Sequence, residues 1–214
     1  MKALVILNGE VQGSARERAQ ARDAAWCIAA DGGAHNARRL GLWPDVIVGD
    51  LDSVAGELLA ELQARGCQVI RHSPRKDETD AELALLEAVR RGATEIRILG
   101  ALGGRFDHAL ANILLLTMPG LQGIPTRIVT HEAMISLIHG EAEIAGAIGD
   151  TVSLLPLGGD AVGIVTEGLE YPLRDETLYL GPARGVSNVL TAPVARVRLR
   201  EGLLLAIHYP GRQS

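Results

Sequence analysis

Residues 44–53 read PDVIVGDLDS. An apolar run, Val46-Ile47-Val48, stops at Gly49 and is followed by two aspartates one residue apart, Asp50 and Asp52, with Ser53 behind them. The run is short and does not alternate, so it predicts a strand buried on both faces, as in a parallel sheet covered by helices. In extended geometry positions two apart point the same way. Two carboxylates about 4 Å apart repel by about 1 kcal/mol in water and about 4 kcal/mol at an effective dielectric of 20. Ser53 is available to cap the following helix, so capping does not account for the aspartates. A hard cation such as Mg²⁺, which takes oxygen ligands from loops, does.

Runs of the same kind flank this one at Ala3–Leu7, Trp26–Ala30, Gln68–Ile70, Ile96–Leu99 and Arg127–Val129. Helical patterns separate them, and that alternation predicts βαβ units in an α/β domain with a mostly parallel, Rossmann-like sheet over residues 1–131. Ser53 is expected to cap a helix carrying Leu58, Leu59 and Leu62. Thr79 and Glu82 form a T-x-x-E capping box for a helix whose face is Leu83, Leu86 and Val89, closed at Gly92, with a Glu87–Arg91 pair. A third helix is expected to start at Asp107. From residue 132 to 214 the runs become shorter and are divided by glycine and proline: Met134–Ile138, Thr151–Leu155, Val194–Leu199 and Leu203–His208. They predict a smaller all-β domain, an antiparallel sandwich or barrel.

The totals fit two such domains. The chain has 214 residues, 47% of them hydrophobic but only 3% aromatic, so its core is built of aliphatic side chains. A net charge of −5 is the wrong sign for gathering nucleic acid through phosphates. No apolar stretch approaches the roughly 20 residues of a membrane span, and the N-terminal apolar run is too short for a secretory signal. Cys27 and Cys67 have no metal-ligand spacing and read as buried thiols of a reducing, cytoplasmic setting.

The segments after the second to fifth strands share one feature. They are Asp31-Gly32-Gly33, Gly49 to Ser53, Lys76 to Asp80, and Gly103 to His108. All lie on carboxyl-end connections, the edge where open α/β sheets bind ligands, so the six aspartates Asp31, Asp50, Asp52, Asp77, Asp80 and Asp107 converge on one crevice. Lys76 and Arg105 join them, and Arg105 follows two glycines that let backbone amides approach a ligand. Its guanidinium fork matches phosphate oxygens. Carboxylates for a metal with a glycine-backed arginine for phosphate describe a Mg-nucleotide site, although neither G-x-x-x-x-G-K-[ST] nor G-x-G-x-x-G occurs. Phe106 is read as core, and His108 as a helix-start residue rather than a catalytic one.

With ADGGA at 30–34, GDLDS at 49–53, KDETD at 76–80 and GGRFDH at 103–108, the chain resembles the thiamine pyrophosphokinases. SLLPLG at 153–158, GLEYPL at 168–173 and GVSN at 185–188 resemble that family's thiamine-binding β domain. The resemblance implies transfer of the diphosphate of ATP to the hydroxyl of thiamine, giving thiamine diphosphate and AMP. It implies Mg²⁺ on Asp50, Asp52 and Asp80, with Asp31 completing the acidic wall. Lys76, Asp77, Thr79 and His108 would line the nucleotide region, with Arg105 and Asp107 positioning the phosphates and the attacking hydroxyl. Asp107 and Asp77 are both open as the proton acceptor. Ser187 and Asn188 would contact the thiamine pyrimidine, in a homodimer whose active site is shared between chains.

Val189 follows Ser187-Asn188 where many members carry glutamate, so a diphosphokinase of the same fold acting on another hydroxymethyl heterocycle, such as a pterin, is an alternative. A Mg-dependent phosphatase with a D-x-D nucleophile and a non-catalytic thiamine or nucleotide sensor are further alternatives. The phosphatase leaves GGRFDH without a role.

Overall fold

The computed structural model describes residues 1–211, and the chain divides into two compact units, Met1–His131 and a second beginning at Glu132. The first unit contains strands β1 (Lys2–Ile6), β2 (Trp26–Ala30), β3 (Val46–Gly49), β4 (Gln68–Arg71), β5 (Glu95–Leu99) and β6 (Thr126–Val129). Helices α1 (Ala15–Ala19), α2 (Gly33–Arg39), α3 (Gly56–Ala64), α4 (Asp80–Arg90) and α5 (Phe106–Leu114) connect them. All six strands pair in parallel in the order β6-β5-β1-β2-β3-β4. Val5 faces Ile28 on one side and Ile98 on the other, and all three are buried, which is why these strands read as continuous apolar runs. The chain builds outward from β1 to β4, then returns to add β5 and β6 on the other side of β1. The crevice between the ends of β1 and β5 is therefore a topological switch point.

The helices correct three expectations. Helix α3 starts at Gly56 with Ala55 as its cap residue and no side-chain cap; Ser53 instead donates to Asp52 Oδ1 at 2.9 Å. Helix α4 does have Thr79 accepting from the Glu82 amide at 3.2 Å, and Glu87 pairs with Arg91 at 2.6 Å. Its buried stripe, however, is Ala81, Ala84, Leu85 and Ala88, while Leu86 is exposed. Three alanines let the helix axis lie close over β1, β2 and β3, and a leucine face would hold it off. Helix α5 begins at Phe106 and buries none of its residues. Phe106 is 81% exposed and Leu110 and Leu114 follow it on an open apolar stripe, so Phe106 is not core.

The second unit is all strand, as the sequence predicts. Its strands are β7 (Met134–Ile138), β8 (Glu141–Ala145), β9 (Thr151–Pro156), β10 (Ala161–Glu167), β11 (Arg174–Leu178), β12 (Asn188–Val189), β13 (Val194–Arg198) and β14 (Leu204–Tyr209). They pair antiparallel as β12-β9-β14-β7 and as β11-β10-β13-β8. Ile138, Val152, Leu154, Ile164, Leu178, Leu190, Val197 and Leu204 share its core. The arrangement is a sandwich with alternating inward residues, clearest in β13, where Ala195 and Val197 are buried between exposed neighbours.

Candidate active site

A cleft of about 600 Å³ opens at the carboxyl ends of the first unit's strands. It is lined by Leu7, Asn8 and Gly9 after β1, Asp31 after β2, Asp50, Asp52 and Ser53 after β3, and Lys76, Glu78, Thr79 and Asp80 after β4. Gly100 to Arg105 after β5 complete the rim with His108 and Asn112 of α5. Its floor is set by backbone bonds across the switch point, with the Leu7 amide on Leu99 O and the Gly9 amide on Gly100 O, both at 2.8 Å. The buried Asn36 side chain of α2 donates to Leu7 O and Gly9 O, each at 2.8 Å, and Asn112 donates to Ala101 O at 2.8 Å. Side-chain amides thus satisfy the carbonyls that the ended strands leave open.

The carboxylates of Asp31, Asp50 and Asp52 each bring an oxygen within 4.8 Å of the other two, the one such group of three or more among the described residues. The mechanism differs from plain strand alternation. Leu51 has a positive φ of 67° and is buried with Ala29, Ala34, Ile47 and Leu62. Its side chain anchors the loop in the core, and the left-handed turn leaves Asp50 and Asp52 beside each other at the surface. Asp50 Oδ1 accepts the Asp52 amide at 3.2 Å. His35 Nε2 lies 3.2 Å from Ser53 O and holds the far end of the loop.

Asp31 enters from the neighbouring strand because Ala30 pairs with Val48, and its amide bonds Val48 O at 2.8 Å. It too has a positive φ, 44°. Its side chain is buried at 8% exposure, and Oδ1 has no hydrogen-bond partner. A buried carboxylate with an orphaned oxygen, standing beside two further carboxylates, is an unstable arrangement without a cation, and three oxygen donors suit a hard one. The residues present therefore fit Mg²⁺. Gly49, at φ 147°, gives the group its room, since a Cβ there would stand 3.1 Å from both Asp31 Cβ and Asp80 Oδ1. Asp80 itself is bonded to Lys76 Nζ at 2.7 Å, a largely buried pair, so in this structure its charge is met by the ammonium beside the cluster.

On the opposite rim Gly103 and Gly104 have consecutive positive φ values, 90° and 69°, and carry the chain to Arg105. Arg105 grips Asp107 through two contacts, Nε to Oδ1 at 3.1 Å and Nη2 to Oδ2 at 2.6 Å. The guanidinium holds the Asp107 carboxyl down to about 2, and the Asp107 Oδ1 also accepts the His108 amide at 2.9 Å. Asp77 and Asp107 are exposed and are not among the residues lining the cleft, whereas Arg105, His108, Thr79 and the unanticipated Glu78 are. Burial pushes the thiols of Cys27 up to about 12 and Cys67 up to about 11, so neither is a nucleophile at neutral pH.

In the second unit, Ser187 and Asn188 lie beside a groove of about 120 Å³, with Asn188, Tyr171, Leu173 and Arg184 in its walls. Asn188 Oδ1 accepts the Tyr171 amide at 3.0 Å and its Nδ2 donates to Tyr171 O at 2.8 Å. Both ends of the amide thus grip the backbone N–H and C=O of one residue, and the Tyr171 ring is presented in the open. Tyr171 was absent from the sequence-derived site. GLEYPL contained it, but its pairing with a residue 17 positions on is visible only in the fold.

Among the described residues no helix is long and apolar enough to cross a membrane. The family description "Thiamin pyrophosphokinase, catalytic domain" matches residues 18–128, and "Thiamin pyrophosphokinase, vitamin B1 binding domain" matches residues 136–204. Thiamine pyrophosphokinase of Bacillus subtilis (strain 168) is 28% identical over 169 residues, 78% of this chain and 79% of that protein. Thiamine pyrophosphokinase 1 of Oryza sativa subsp. japonica is 29% identical over 178 residues, 77% of this chain and 66% of its own length. The crystal structure of thiamine pyrophosphokinase from Bacillus subtilis superposes with a TM-score of 0.86 at 24% identity, over 98% of this chain and 99% of that one. That of yeast thiamin pyrophosphokinase gives 0.81 at 18%, over 97% and 86%. With the fold, the acidic cleft and both domain descriptions in agreement, the chain belongs to the thiamin pyrophosphokinase family.

Proposed function

We propose that the protein transfers the diphosphate of ATP to the hydroxyl of thiamine, releasing AMP. The observation that carries the reading is the trio Asp31, Asp50 and Asp52, with the orphaned Asp31 Oδ1, in one cleft with Lys76 and Arg105. Those three carboxylates would hold Mg²⁺, with Asp80 as the adjoining oxygen donor. Mg²⁺ supplies charge neutralisation at phosphate oxygens when bound.

The chain's own groups do the rest by position and charge. Lys76, Thr79 and the Gly103–Gly104 backbone line the path of the phosphates, and Arg105 neutralises the migrating group. Asp107 aims the Arg105 fork; with its carboxyl near 2 and both oxygens engaged it is a weak proton acceptor. Asp77 and His108 stand at the nucleotide rim. In the second unit Ser187, Asn188 and the exposed Tyr171 ring receive the acceptor. The apolar stripe of Phe106, Leu110 and Leu114 supports assembly as a homodimer with a shared active site, and the free, protonated thiols support a cytoplasmic setting.

The test is to incubate the protein with MgATP and either thiamine or a hydroxymethyl pterin and to follow AMP by chromatography. AMP with thiamine alone is expected. AMP with the pterin alone would retain the nucleotide half and overturn the acceptor, and free phosphate alone would return the D-x-D phosphatase.

A further inference from the structure

The second unit holds a buried ionic knot. Asp150, 3% exposed, and His208, 4% exposed, meet at 2.8 Å between Oδ2 and Nε2. The same carboxylate accepts the Ala147 amide at 2.9 Å and the Gly211 amide at 2.6 Å. Two chain segments, the loop from Ala147 and the end of β14 with Gly211 beyond it, converge on one side chain. Burial opposes the charge, but the two amides and His208 together hold the carboxyl below its ordinary value, so it is ionised at neutral pH. Hence Nε2 of His208 carries the proton and donates. Gly146 leaves the space: a Cβ there would stand 2.6 Å from Asp150 Oδ2 and 2.7 Å from His208 Nε2.

The knot sits where the two-residue strand β12 is fastened. Asp150 O accepts the Leu190 amide at 2.9 Å, and Asn188 and Val189 pair with Val152 and Thr151 directly after Asp150. At the other end of β12 the Ser187 amide donates to the buried Ser153 Oγ at 3.1 Å. Between these fastenings Ser187 is held at φ 62°, a strained conformation for a non-glycine residue that persists only where its surroundings impose it. A strand this short has too few ladder bonds to hold its own register.

We infer that Asp150 and His208 are positioning residues for the acceptor: their buried pair fixes the end of β9 on which β12 rests, and so the placement of Ser187, Asn188 and the Tyr171 peptide. The inference rests on the acceptor role given to Ser187 and Asn188 above.

The experiment compares wild type with His208→Leu, His208→Gln and Gly146→Ala, reading AMP release against thiamine and against ATP, with amide hydrogen exchange at Tyr171 and Leu190. His208→Leu and Gly146→Ala are expected to raise KM for thiamine about tenfold and leave KM for ATP within about twofold. His208→Gln, which keeps a donor, is expected to stay within about twofold of wild type in both. Faster exchange at both amides in the first two variants accompanies this. Equal changes in both KM values, or unchanged exchange in a folded Gly146→Ala, would overturn the positioning role. If His208→Leu fails to fold, Gly146→Ala and His208→Gln carry the same comparison. If wild type does not use thiamine, the acceptor reading fails by itself, and the exchange data still report whether the knot fixes β12.

Discussion

Replacing Asp31 by asparagine isolates the charge that the fold buries. Asparagine tolerates the positive φ and keeps the volume, and the Asp31 oxygen Oδ1 has no bond to lose. At 4.8 Å, the outer limit of the cluster, each carboxylate pair repels by about 0.9 kcal/mol in water and about 3.5 kcal/mol at an effective dielectric of 20. Asp52 is exposed, so the lower figure governs, and the substitution removes two of the three pairs. The metal-free variant should gain about 2 kcal/mol, raising the melting temperature by about 4–8 °C. Mg²⁺ at a hundred times its dissociation constant would stabilise wild type by about 2.7 kcal/mol, and the variant forfeits most of this. Thermal melts followed by circular dichroism should therefore show the variant above wild type in EDTA and the two nearly level in Mg²⁺, with AMP release from the variant down at least about a hundredfold. A variant that melts no higher than wild type in EDTA, or that keeps the full Mg²⁺ response, refutes the cluster as a cation site.

Arg105→Lys removes the fork but not the charge; turnover should fall about a hundredfold while the melting temperature stays within about 1 °C, because Arg105 is exposed, and a differential melt beside the activity assay checks both. Leu62→Ala empties a fully buried position beneath Leu51 and should cost about 3 kcal/mol in urea unfolding. Burial alone would raise the Asp150 carboxyl, but the Gly211 and Ala147 amides and His208 together hold it below its ordinary value. Its contribution to stability is complete above about pH 4 and lost as pH falls through the lowered value, so acid titration of Asp150→Asn should show a flatter stability curve below about pH 4 than wild type.

The apolar runs of β1 to β6 are readable because both faces of a parallel sheet are covered. Strands β8 and β11 escape notice because EAEIA and RDETL bury little and display charge. Helix α2 escapes because its sequence opens on glycines; a Cβ at Gly33 would lie 2.0 Å from Ile6 O, a closeness of approach that composition does not encode. The acidic loops announce themselves by their spacing, but the partnership of Asp31 with Asp50 and Asp52 depends on β2 lying next to β3, and strand order is a property of the sheet. Ser53 does not cap α3 because the loop turns at Leu51 and the helix begins only at Gly56.

Leu51 ties two selective pressures together. A side chain packed in the interior has a carboxylate of the acidic cluster on either side of it in sequence, so any exchange that repacks the core around Ala29, Ile47 and Leu62 also tilts Asp50 and Asp52. Libraries meant to raise thermal tolerance would normally target such interior positions, and here they would alter turnover as they alter melting. Engineers seeking either property alone should hold residue 51 and its neighbours constant.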